Sequence, residues 1–151
     1  MALDSELIND FKIECKQLIQ ELFKVVEIVK ASGESTFPTA ALAEFAQKID
    51  RIMGTAKTFA GFDPDNAALA KIAKIAEFCK AIGYKASEKK DAKLLKPVAL
   101  IWTDVLKVID SLVENLENPE NAAKATKMLG MALKERLKWL SERLGIDFKK
   151  F

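Results

Sequence analysis

The sequence predicts an all-α fold, an antiparallel bundle of five helices. Apolar residues recur at alternating steps of three and four along most of the chain, which places them on one face of a helix. No stretch alternates apolar and polar residues for long enough to indicate a strand. Residues that start and stop helices divide the periodic stretches into five segments. With 151 residues, half of them apolar, the chain can bury a core as a single domain.

The first predicted helix runs from about Asp4 to Lys30 and stops near Gly33. Its apolar seam has a period of about 3.5 residues, which is typical of packing inside a bundle. The same period also fits a dimeric coiled coil, so the sequence leaves a homodimer open. The seam consists of Ile8, Phe11, Cys15, Leu18, Leu22, Val25 and Val29.

The second and third helices are separated by residues that typically end one helix and start the next. We expect the second to begin within two residues of Pro38 and to end at Gly61-Phe62. Asp63-Pro64-Asp65 combines a cap, a proline and an acid, and predicts the start of the third helix. Gly83 predicts its end. The predicted inward residues are Leu42, Phe45, Ile49, Ile52, Ala56 and Phe59, followed by Leu69, Ile72, Ile75, Ala76, Cys79 and Ile82.

The fourth and fifth helices follow a predicted polar linker, Lys85 to Lys93, in which Ser87 is a candidate cap. Pro97 indicates either that the fourth helix starts near Lys96 or that the helix is kinked there. Their seams are Leu95, Val98, Trp102, Val105, Ile109, Leu112 and Leu116, then Ala122, Ala125, Leu129, Leu133, Leu137, Leu140 and Leu144.

The ends of the fifth helix are clearly marked. Asn118-Pro119-Glu120 predicts its beginning and Gly145 its end. The short tail that follows carries Ile146, Phe148 and Phe151, which can fold back on the bundle.

Composition excludes several functions. The chain contains no histidine, which removes imidazole bases, Ser-His triads and histidine-ligated metals. Cys15 and Cys79 lie on apolar helix faces and are expected to be buried thiols. No glycine-rich phosphate loop or metal-ligand spacing indicates a cofactor.

The net charge of +2 argues against a nucleic-acid partner. No apolar run approaches the ~20 residues needed to span a bilayer, and no signal peptide opens the chain. We therefore expect a cytoplasmic protein without a membrane partner.

One face of the second helix has few bulky side chains. Gly54 lies in its interior, where glycine costs about 1 kcal/mol relative to alanine. Such a glycine needs a reason, and close approach by a neighbouring backbone or by a partner would be one. The face consists of Ala46, Gln47, Asp50, Met53, Gly54 and Lys57.

The run Ile49-Asp50-Arg51-Ile52-Met53-Gly54, followed by Thr58-Phe59-Ala60-Gly61-Phe62, resembles the signature of histidine phosphotransfer domains. It is most similar to the phosphotransfer (P1) domain of CheA-type chemotaxis kinases, whose signature has the form A-H-S-I-K-G-x-x-G-T-F-G-F. One extra residue precedes the last Gly-Phe here. The resemblance implies one domain over residues 1–151, with a core at about 4–117 and a fifth helix at about 119–144.

The departures from this family are chemical. Asp50 stands where the family has its phospho-accepting histidine, and Met53 stands where it has a charge-balancing lysine. A carboxylate accepts phosphate only inside an acidic, Mg²⁺-binding pocket, and no acidic cluster surrounds Asp50 in sequence. The resemblance therefore implies a phosphotransfer scaffold that has lost its chemistry.

Three functions remain open from the sequence. The first is a non-catalytic module that docks a response-regulator receiver domain, or another signalling partner, through the face around Asp50 and Gly54. The second is a structural or assembly bundle, in which Asp50 is an ordinary solvated residue. The third is a receiver phosphatase that uses Gln47 and Asp50 to orient water. The chemotaxis phosphatases, however, space their acid and amide four residues apart, and Gly54 occupies that position here.

Overall fold

The computed structural model describes residues 5–33 and 35–146, without the side chains of Leu129 and Ala132. Every regular element in these ranges is helical, so the fold is all-α. The sequence predicted five helices, and the structure has a sixth element, a single 3₁₀ turn, between the third and fourth. The elements are α1 (Ser5–Ala31), α2 (Thr39–Phe62), α3 (Ala67–Lys89), the 3₁₀ turn (Ala92–Leu94), α4 (Leu95–Glu114) and α5 (Pro119–Leu144).

The first four α-helices form a closed ring. Helix α1 packs against α2 and α4, and α3 packs against the same two helices. Helix α5 packs against α4 and α3. Phe11, near the start of α1, contacts Phe59, near the end of α2, with 5.1 Å between ring centroids. Lys16 of α1 lies 2.6 Å from Glu114, the last residue of α4. Helix α1 therefore runs opposite to both α2 and α4.

A single cluster of buried apolar side chains draws on all five α-helices. The seam predicted for α1 lies in this cluster, with Phe11, Cys15 and Leu22 at most 1% exposed. These residues pack within one chain, as expected for a bundle seam, and a homodimer stays a prediction. Among the described residues, none of the helices combines the length and apolar content that crossing a bilayer requires.

The start of α3 differs from the prediction. The capping residue is Asn66, whose side-chain oxygen accepts a hydrogen bond from the Leu69 N–H at 3.2 Å. Its amide nitrogen also donates to the carbonyl of Leu116 at 3.1 Å, which ties this turn to the end of α4. Asp63 and Asp65 belong to the preceding turn. Asn66 is a favoured capping residue because its side-chain oxygen can accept from an N–H of the first turn.

The end of α3 was also predicted wrongly, because Gly83 does not stop the helix. Helix α3 continues to Lys89, and Lys90 adopts the left-handed conformation that ends it, with φ of 50°. A Cβ on Gly83 would lie 3.4 Å from the ring of Trp102, which stacks on Phe45 at 3.6 Å between centroids. Gly83 therefore packs against the indole within α3, and an added Cβ would already be in van der Waals contact with the ring.

The predicted linker is consequently shorter than expected. Residues 85–89 are helical, and Ser87 lies inside α3 and caps nothing. Asp91 caps the 3₁₀ turn, accepting a hydrogen bond from the Lys93 N–H at 3.0 Å. Helix α4 then begins at Leu95, one residue from the predicted start.

The predicted ends of α5 are confirmed. Asn118 caps its beginning, and Gly145 closes it with φ of 69°. Ala122, Leu133, Leu140 and Leu144 of the predicted seam are buried. The side chain of Leu129 and the predicted fold-back of Phe148 and Phe151 lie outside the described part of the chain.

Candidate functional site

The predicted face of α2 is largely open to solvent. Gln47, Asp50, Gly54 and Lys57 are exposed. Met53 is half-buried and packs against the core. These five residues form a shallow surface on one side of α2, called the Gly54 face below.

Ala46 does not belong to this surface. It is 4% exposed, and its Cβ lies 3.9 Å from where a Cβ on Gly83 would stand. The sequence placed Ala46 outside because it is small and lies one turn before Asp50. Helix α3 covers it, so Ala46 supports the α2–α3 contact and cannot touch a partner.

Asp50 is held by an ion pair that the sequence analysis missed. Its Oδ1 accepts a hydrogen bond from Nζ of Lys80, on α3, at 2.8 Å. This hydrogen bond to Asp50 raises the pKa of the Lys80 ammonium above its ordinary value. The negative charge of Asp50 is therefore balanced within the protein.

A signal for this pair was present in the sequence. Helices α2 and α3 are joined by the turn around residue 65, and Asp50 and Lys80 lie at equal distances before and after it. In an antiparallel helical hairpin, residues equidistant from the turn face each other.

Tyr84 extends the Gly54 face across α3. The Nζ of Lys80 lies 5.8 Å from the centre of the Tyr84 ring, within range of a cation–π contact. Tyr84 is 56% exposed and is the only tyrosine of the chain. It follows Lys80 by one helical turn, so the tyrosine, the lysine and Asp50 form a continuous surface between the two helices.

Gly54 has no structural reason to be glycine. A Cβ built on it would meet nothing within 4 Å, and the residue stays inside a regular helix. Its carbonyl accepts a hydrogen bond from the hydroxyl of Thr58 at 2.9 Å, which any residue type would allow. Of the two reasons predicted for this glycine, close approach by a neighbouring backbone is therefore wrong. The approach of a partner remains.

The chemistry available on this face is limited. No group of three carboxylate or thiol side chains among the described residues could hold a metal ion. Both cysteines are buried free thiols, as predicted. Burial raises the pKa of Cys15 to about 12, with a smaller contribution from Glu14, and it raises the pKa of Cys79 as well. Neither thiol is therefore a nucleophile at neutral pH.

Two clefts in the described part of the chain lie away from the Gly54 face. One of about 300 Å³ lies between α4 and α5, beside Leu100 and Trp139. Another, of about 220 Å³, lies where α3 and α5 begin, beside Asn66 and Pro119. Neither cleft is lined by a residue of the Gly54 face.

Comparison with family models, with curated proteins and with solved structures finds no match to this chain.

Proposed function

We propose that this chain is a pseudo-phosphotransfer module that binds a response-regulator receiver domain, or a related two-component partner, without transferring phosphate. In this proposal the helices form an antiparallel bundle of the histidine phosphotransfer type, with α1–α4 as its core and α5 added. The ring of α1–α4 and the packing of α5 on α3 and α4 support that assignment. The signature in α2 supports it independently.

The open space at Gly54 is the observation that carries the proposal. A glycine in a helix interior destabilises it by about 1 kcal/mol relative to alanine. None of the described residues approaches Gly54 closely enough to compensate. A partner whose surface packs against the bare backbone gives the glycine a purpose, since any side chain there would hold that surface away.

The charges of this face differ from those of a phosphohistidine. A partner would therefore recognise the shape of the face and not a mimic of the phosphoryl group. Asp50 carries one negative charge, and Lys80 balances it at 2.8 Å. A phosphoryl group carries nearly two charges and three acceptor oxygens. Half-buried Met53 and exposed Tyr84 supply the apolar and aromatic contacts that interfaces favour.

A pair of variants tests the proposal with a matched control. Gly54 and Gly130 are both exposed glycines inside helices, with nothing within 4 Å of an added Cβ. Binding to a panel of receiver domains from the same organism is measured by calorimetry. We expect at least one receiver to bind, Gly54→Gln to abolish that binding and Gly130→Gln to leave it unchanged.

Phosphotransfer to the bound receiver is measured in parallel, and none is expected. A panel without any binder would contradict the proposal and favour a structural or assembly bundle. A receiver that binds both variants equally would show that the docking surface lies elsewhere.

A further inference from the structure

Helices α3 and α5 each carry a stripe of lysines. On α3, Lys74 follows Lys71 by three residues and Lys89 follows Lys74 by fifteen. On α5, Lys134 follows Lys127 by seven residues and Lys138 follows Lys134 by four. Each of these spacings returns to nearly the same side of a helix. From Lys71 to Lys89 the α3 stripe extends roughly 27 Å at 1.5 Å per residue. The two stripes, together called the lysine face, are Lys71, Lys74 and Lys89, with Lys127, Lys134 and Lys138.

The two stripes lie next to each other because α5 packs against α3. Helices α3 and α5 are in contact, and both begin at the same end of the molecule, beside the cleft that Asn66 and Pro119 line. Arg136 points toward α4, where its guanidinium donates to Asp104 at 2.9 Å. Lys134 lies two residues away and therefore roughly 160° around the helix, on the flank away from that contact and toward α3.

The lysine face has no compensating acids in contact with it. All six side chains are exposed, and none forms an ion pair with a carboxylate of the described residues. Elsewhere lysines are paired, as Lys16 is with Asp110 at 2.7 Å and Lys48 with Glu21 at 3.1 Å. Exposed Glu77, Glu135 and Glu142 lie within one turn of these lysines, so the face is rich in unpaired lysines without being free of acids.

Exposed methionines flank this surface. Met128 and Met131 of α5 are 70% and 74% exposed, and Met131 lies within one turn of Lys127 and Lys134. Lysines beside apolar side chains are typical of helices that lie in the interface of an anionic bilayer. A duplex nucleic acid would leave the methionines in water.

We propose that the lysine face binds the surface of a bilayer that contains anionic phospholipids. Lysine provides a point charge on a flexible stem, which suits a diffuse negative surface. Arginine instead has a planar guanidinium that binds a single phosphate group with two hydrogen bonds. The sequence-based expectation of no membrane partner rested on the absence of a spanning segment, which does not bear on peripheral contact. This proposal is independent of receiver docking, because the Gly54 face lies on α2.

Vesicle sedimentation with the full chain tests this proposal. We expect binding to vesicles of phosphatidylcholine mixed with phosphatidylserine and none to phosphatidylcholine alone. Binding should weaken with added salt, since salt screens exposed charges. The variant with Lys71, Lys74, Lys127 and Lys134 changed to Gln should bind on the order of a thousandfold more weakly.

A second fourfold variant provides the control. Lys24, Lys30, Lys96 and Lys107 are exposed lysines of α1 and α4, and changing them to Gln removes the same net charge. We expect this variant to bind as the unchanged chain does. An equal loss of vesicle binding in both variants would mean that only the net charge of the chain matters, which would contradict a defined lysine face. No binding of the unchanged chain to the mixed vesicles would overturn the proposal outright. Tighter binding to duplex DNA than to these vesicles would overturn it as well.

Discussion

Two glycines in neighbouring helices occupy opposite environments. Gly83 of α3 lies against the ring of Trp102, and an added Cβ would stand 3.4 Å from that ring. Gly54 of α2 faces outward, and an added Cβ would meet nothing within 4 Å. Gly83 lies in the packed junction of α2, α3 and α4, whereas Gly54 lies on the open Gly54 face. The two regions differ in why a glycine occupies the position.

At the junction the fold explains the sequence. Trp102 is fully buried, its ring is stacked on Phe45 with 7° between the planes, and Gly83 lies against it, where an added Cβ would reach van der Waals contact and a larger side chain would have to displace the ring. At the Gly54 face nothing among the described residues explains the glycine. Gly130 of α5 is equally open, so the functional proposal depends on the place of Gly54 within the α2 signature as well as on its open surroundings.

Removal of Trp102 should have the largest effect on the junction. We expect Trp102→Ala to lower the free energy of unfolding by about 3–5 kcal/mol, because it leaves a cavity and removes the stack on Phe45. Trp139→Ala is the control, since Trp139 is 39% exposed and lies at the rim of a cleft. Urea unfolding followed by circular dichroism measures both. Similar losses at the two sites would contradict the packed junction.

Leucine at the two glycines tests the comparison itself. Gly83→Leu should destabilise the protein by about 1–3 kcal/mol, because the side chain must displace Trp102. Gly54→Leu should instead stabilise it by several tenths of a kcal/mol or more, because leucine favours the helix over glycine and meets no neighbour. The same unfolding measurement applies. A loss of stability at Gly54 would mean that the fold itself requires this glycine.

The ion pair of the Gly54 face should contribute least. Lys80→Met removes the partner of Asp50, and an exposed pair of this kind contributes about 0.2–1 kcal/mol. Because the folded protein raises the pKa of Lys80, this contribution is complete below the ordinary lysine pKa of 10.5 and is lost as the pH rises through the raised value.

The matched control for this pair is Lys57→Met, which removes an exposed lysine of the same face that has no ion pair with a described residue. Unfolding at pH 7 and at a pH above the raised pKa of Lys80 compares the two variants. A difference between Lys80→Met and the unchanged chain that persists at high pH would contradict the pair.

Much of the fold was predictable from the sequence. The seams of α1 and α4 follow from apolar spacing, because a continuous buried stripe leaves a period that few other arrangements produce. The ends of α5 follow from Asn118 and Gly145, whose conformational roles are local. These elements needed no knowledge of what packs against them.

The errors arose where a residue acts through a distant neighbour. Gly83 was predicted to stop α3, because sequence alone does not distinguish a glycine that ends a helix from one that admits Trp102. Asp63 was predicted as the cap of α3 because it precedes Pro64, whereas Asn66 caps the helix and also donates to the Leu116 carbonyl, a contact that sequence does not show. Ala46 was placed on the surface because its cover comes from α3. Only the Asp50–Lys80 pair could have been found, from the symmetry of the two helices about their turn.

Mapping the docking surface tests the central claim most directly. The chain is labelled with ¹⁵N and titrated with the receiver domain that binds most tightly in the calorimetric panel, and amide shifts are followed by NMR. We expect the largest shifts between Gln47 and Lys57 on α2 and at Lys80 and Tyr84 on α3, with α1 and α5 unaffected. Shifts centred on another surface, or a panel from which no receiver binds, would contradict the assignment of the Gly54 face as the docking site.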